Sequence, residues 1–88
     1  MNFENKIVSF STVGTSYNHD LASPEFKEIK GRVFLTGKIP NGCSESGWSD
    51  NKMGGIAWDS VTDFIVFDSH KEYLEATEKS RSLEDNDA

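Results

Sequence analysis

One cysteine and two histidines, Cys43, His19 and His70, carry nearly all the nucleophilic or metal-binding chemistry open to this 88-residue chain. A thiol attacks as its thiolate, and an imidazole brought beside it by the fold can take the proton, so Cys43 with either histidine would form a nucleophilic pair. Nothing around Cys43 matches a nucleophile motif, and the residue reads as a loop cysteine. A metal ion needs several Cys, His or carboxylate ligands at workable spacing, and the two histidines are far apart in the chain. Asp68-Ser69-His70 does place a carboxylate beside an imidazole, but at the solvent-facing first turn of a helix. Neither a metal nor any other cofactor is expected, and the chain is read as noncatalytic.

Carboxylates for acid–base work are plentiful, among them Asp59, Asp63 and Asp68, yet useful ones need a pocket that drives their pKa values apart. A solvated acidic face is the simpler reading. The glycines do not lead into a Gly-Lys-Ser/Thr or G-x-G-x-x-G pattern, which leaves nucleotide binding without support.

Two features stand above this background. Trp48 lies in a polar, glycine-rich stretch, Gly42-Cys43-Ser44-Glu45-Ser46-Gly47-Trp48-Ser49-Asp50, where a large aromatic among small residues has the look of an interface anchor; the competing reading folds it back as a lid over the core. The second feature is charge. Residues 1–44 hold five Lys/Arg against four Asp/Glu and residues 45–88 hold four against eleven, so the halves carry +1 and −7. An acidic half repels phosphate backbones, excluding direct nucleic-acid binding as a first reading, and steers association toward a basic protein surface. The expected partner contacts are therefore Trp48, Asp50 and Met53 from the loop, with Asp59, Asp63, Asp68, Glu72 and Glu75 as acidic contacts. Small inhibitors of the kind phages encode against host enzymes or defence systems, and immunity proteins, have this profile. The alternative is a structural or assembly subunit that associates with its own copies through an exposed strand edge.

The elements that must position these residues fit one small core, since a chain this short has room for no second domain. Residues 6–13 alternate, with Val8 and Phe10 opposite Ser9 and Ser11, as a half-buried strand does. Residues 14–20 are rich in turn formers and, with Ser23-Pro24 following, read as a connecting loop. Residues 28–39 alternate again and predict the clearest strand, ended by Pro40-Asn41-Gly42. A long loop at 41–55 follows, of a length that is usually functional or mobile. Residues 56–67 return to strand composition as two short strands or one bent strand, and the apolar run Phe64-Ile65-Val66-Phe67 predicts a central strand covered on both sides. Ser69 and Glu72 form a capping-box pattern that starts a helix, expected to reach about Ser82 and to rest on the sheet by a narrow stripe of Tyr73, Leu74 and Thr77.

The expected fold is thus α+β, an antiparallel sheet of three or four strands with one C-terminal helix, over a domain of residues 1–82. The acidic residues 83–88 have almost nothing to bury and are expected to be disordered. No stretch nears the roughly 20 apolar residues of a membrane span. The sequence also lacks a secretory leader at its start and cysteine pairs for disulfides, so a soluble cytoplasmic protein is expected.

Overall fold

A computed structural model of the chain describes residues 2–43 and 46–80, with the backbone of the last helix traced to Asn86. The elements are β1 (Ile7–Thr12), β2 (His19–Ile29), β3 (Arg32–Lys38), β4 (Met53–Ala57), a single 3-10 turn (Trp58–Ser60), β5 (Val61–Phe67) and α1 (His70–Asn86). The fold is α+β with one antiparallel sheet and one C-terminal helix, but the sheet has five strands, in the order β4-β3-β2-β1-β5, where three or four were expected. The backbone of α1 continues through residues 83–86, past the end expected near Ser82 and into the stretch expected to be disordered, and residues 87–88 lie outside the described residues.

The additional strand comes from one long segment. Residues 14–20, with Ser23-Pro24 following, read as a connecting loop, yet His19–Ile29 form β2, with Pro24 accommodated where the register with β3 shifts between Ala22 and Glu25. A bulge is one of the few places where a strand tolerates proline. Ser23 takes a positive φ of 47° there, and its N–H donates to the Lys6 carbonyl at 2.7 Å. The bulge presses on β3 at Gly37, where a Cβ would lie 2.8 Å from the Ala22 carbonyl oxygen; only glycine fits that approach.

The expected strand over 28–39 is in fact a hairpin. Lys30 and Gly31 both have positive φ, 51° and 80°, which are the dihedrals of a two-residue turn matched to the strand twist. Ile29 therefore pairs with Arg32 and shares its face, so the alternation that seemed to join Ile29 to Val33 crosses a chain reversal. Beyond the loop, β4 begins at Met53, two residues before the expected loop end, and the two-short-strand reading of 56–67 holds, with the 3-10 turn between them.

β4 and β5 occupy opposite edges of the sheet but are joined by only Trp58–Ser60. Four peptide steps span at most about 14 Å, whereas the edges of a flat five-stranded sheet stand about 19 Å apart. The sheet must therefore curl, and the inside of the curl holds the core: Phe3, Val8, Phe10, Leu21, Leu35 and Ile56, with Ile39, Trp58 and Val61 packed against it. Phe3, Phe10 and Phe64 meet ring to ring, with centroids 5.9–6.3 Å apart.

On the opposite face of the sheet, Ile7 and Phe67 are direct partners, as are Ser9 and Ile65. Here α1 contributes Tyr73, which is buried with its ring 5.6 Å from that of Phe67, while Leu74 stays exposed and Thr77 half-buried. The helix starts as its sequence dictates: the Ser69 hydroxyl accepts from the Glu72 N–H at 3.1 Å. The glutamate reaches one residue further than a standard capping box, to the Asp68 N–H at 3.1 Å. The run Phe64–Phe67 is not the covered central strand that its apolarity predicted. β5 lies at a sheet edge, and Phe64, Ile65 and Val66 are exposed.

Candidate functional site

The loop between β3 and β4 is long but its base is fixed. Ile39 and the far end of the loop exchange backbone bonds, Ile39 N–H to the Lys52 carbonyl at 2.8 Å and Asn51 N–H to the Ile39 carbonyl at 2.9 Å. At its start, a turn runs from Pro40 to Cys43, with Gly42 at φ 85° in its third position, as such turns require. At its end, Asp50 N–H donates to the Gly47 carbonyl at 3.1 Å, and Ser49 is buried beside it. Trp48 sits on this second turn with 80% of its surface exposed, so it does not fold over the core as a lid.

Beside Trp48 runs a groove of about 400 Å³ whose walls come from the start of β2, the loop and β4, including Tyr17, His19, Asp20, Cys43 and Ile56. Tyr17, on the β1–β2 connection, is 64% exposed, and its ring packs 5.0 Å from that of His19. The groove is bordered by glycines for a physical reason: a Cβ on Gly54 would stand 3.1–3.2 Å from the Ile39 and Leu21 side chains, so β4 lies close against both.

Beneath this rim, three polar side chains meet. The Tyr73 hydroxyl donates to Asp20 Oδ2 at 2.7 Å, and the Cys43 thiol donates to the same oxygen at 3.8 Å. Burial, then the neighbouring Asp20 charge, hold the Cys43 thiol above its ordinary range, and Asp50 adds to the effect. Burial and the Asp20 hydrogen bond likewise push the Tyr73 phenol well up. A thiolate is disfavoured at this position, since its formation would set two anions side by side in a poorly hydrated site. His70, the other conceivable partner in nucleophilic chemistry, lies across the loop, with Nε2 3.5 Å from the Asn41 carbonyl. No group of three or more metal-ligating side chains occurs among the described residues.

The eight residues singled out as partner contacts are not gathered into one patch. Trp48 and Asp50 lie on the loop and Met53, exposed, begins β4. Asp59, on the 3-10 turn, pairs with Arg32 at 3.0 Å, and Asp68 with Lys6 at 2.9 Å. Glu72 is engaged at the helix start, whereas Asp63 and Glu75 are exposed on β5 and α1. The two ion pairs are solvent-accessible and each contributes at most about 1 kcal/mol.

Sequence reasoning missed Tyr17, His19 and Asp20 as groove residues because they were read as linker. Tyr73 was expected as an apolar stripe residue and also supplies a hydrogen bond. Among the described residues, no helix is long and apolar enough to cross a membrane. The chain matches no protein-family model, no curated protein and no solved structure.

Proposed function

We propose that this chain is a noncatalytic cytoplasmic protein that binds another protein, one with a basic surface, and inhibits or modulates it by occupying that surface. Phage-encoded inhibitors of host enzymes or defence systems, and immunity proteins, work in this way. The observation that carries the reading is the exposure of Trp48 on a loop whose base is fixed by backbone hydrogen bonds. A loop fixed at its base loses little backbone freedom on association, and exposed aromatic anchors dominate interface energetics. The protonated, carboxylate-bound state of Cys43 fits a noncatalytic role.

The test is affinity capture of the tagged protein from lysate of its native or host cell, at low and moderate salt, with Trp48→Ala in parallel. A stoichiometric partner lost in the variant is expected. Capture that is equally strong with Trp48→Ala would remove the loop from the interface.

A second reading, self-association as an assembly subunit, is favoured by the exposed Phe64, Ile65 and Val66 on edge strand β5. An apolar edge strand offers unpaired backbone groups and side chains to another strand. Sedimentation over a range of concentrations separates the two, since only this reading requires a mass above one chain without a partner.

A further inference from the structure

Among the described residues, two buried side-chain oxygens lack a hydrogen-bond partner, Asp20 Oδ1 and Asp50 Oδ1. Both belong to carboxylates around Cys43: Asp20 touches the thiol and Asp50 lies within electrostatic reach of it. A buried carboxylate oxygen without a partner is costly, and two carboxylates acting on Cys43, a residue of the groove wall, leave a negative field there. Asp20 forms part of the groove wall, and the described residues of that wall include no Lys or Arg to offset it.

The rim adds a second kind of attraction. Tyr17 and Trp48 both border the groove and are largely exposed, and the faces of aromatic rings attract cations. An anionic group would be repelled by this site, and a purely apolar one would leave its negative field unanswered. The volume, about 400 Å³, admits one long side chain. The two orphaned oxygens are themselves shielded, so they act through a field strengthened by the low-dielectric wall rather than by direct contact.

Resting on the partner-binding reading above and deepening it, we infer that the groove receives a lysine or arginine side chain of the protein partner, its charge drawn to the rings of Tyr17 and Trp48 and to the field of Asp20 and Asp50. The methylene stem of such a side chain lies along the apolar wall formed by Leu21, Ile39 and Ile56, as long cationic side chains do when their heads are held elsewhere.

The probes are four blocked tripeptides, Gly-Xaa-Gly with lysine, arginine, norleucine or glutamate at the centre, titrated while the indole N–H resonance of Trp48 is followed by NMR. The lysine and arginine peptides give a saturable shift that weakens as salt is raised, and the norleucine and glutamate peptides do not. Tyr17→Ala, at an exposed position, weakens the lysine peptide roughly three- to fivefold. Asp50→Asn, which removes one charge at constant shape, weakens it as well, the amide spectrum reporting whether the fold is kept. Equal shifts with norleucine and lysine would overturn the inference in favour of an apolar anchor site, and no saturable shift with any peptide would overturn it outright. In both cases capture of a partner that depends on Trp48 would leave the parent reading standing. A cation-selective shift without any captured partner would separate the two in the other direction.

Discussion

Strands β1 and β5 lie side by side and carry nearly equivalent apolar runs, but their fates differ. Ile7, Val8, Ser9 and Phe10 pair in order with Phe67, Val66, Ile65 and Phe64. All four residues of the first run are buried, while Ile65 in the second is 57% exposed and both its neighbours are exposed too. β1 has a strand on each side and the curled core on one face; β5 has one neighbour and ends the sheet, and α1 reaches it through Tyr73 on Phe67, at the strand's end. Burial is thus conferred by position in the sheet and not by the apolarity of the strand itself. The run on β5 stays exposed on an edge, whereas Trp48, on the loop between β3 and β4, presents apolar surface on a turn.

The sharpest way to break this comparison is truncation. Phe10→Ala removes a ring that is fully buried and should cost about 3–5 kcal/mol in denaturant unfolding. Phe64→Ala, at its partner position, should cost clearly less. Equal losses would mean that β5 is covered in solution, as a self-associated form requires.

Next in size is Tyr73→Phe, which leaves Asp20 Oδ2 only the long bond from the Cys43 thiol and should cost about 1–3 kcal/mol. The same cluster sets a pH dependence. The Cys43 and Tyr73 groups both have raised pKa values in the fold, so folding favours their protonated forms. Their contribution is complete below the ordinary thiol value of 9.0 and is lost as pH rises through the raised value. Denaturant midpoints should therefore fall as pH passes 9.0, with a shallower fall in Cys43→Ser and in Tyr73→Phe. An identical slope in all three proteins would show that the cluster does not couple to folding.

Ile65→Lys places a charge on the exposed edge and should change monomer stability by no more than about 1 kcal/mol, since edge positions are forgiving. Any concentration-dependent mass in sedimentation should vanish with it. Trp48→Ala is the smallest perturbation of the fold, within about 0.5 kcal/mol by thermal or denaturant unfolding, because the side chain is mostly solvated. A larger loss would show that the indole packs on the loop or core in solution.

Much of the fold was legible locally. The strand at Val8 and Phe10, the Ser69–Glu72 cap and the break at Pro40-Asn41-Gly42 each act within a few residues and appear at the expected place, although β1, expected to be half-buried, is buried on both faces from Ile7 to Phe10 because strands flank it on both sides. β2 was not legible because Ser23-Pro24 is a loop signal unless a bulge absorbs it, and that bulge exists only with Gly37 of β3 opposite. The Lys30-Gly31 hairpin was hidden by an alternation that continues across the turn. In the candidate site, Trp48 could be picked out as an isolated aromatic in a polar loop, whereas Asp20 could not, since its Tyr73 and Cys43 partners are distant in sequence.

The sequence by itself determined an α+β chain with one small core, an acidic second half, the strand at β1, the capped start of the last helix and an aromatic residue set among small polar ones. Only the tertiary structure decided that β5 is an edge, that Tyr17 and Trp48 border one groove, and that two carboxylates with orphaned oxygens act on Cys43 in its wall. The physical reason is range. Capping, turn geometry and side-chain period are set by neighbours along the chain, but burial and field at a point are set by whatever strands the curled sheet brings there.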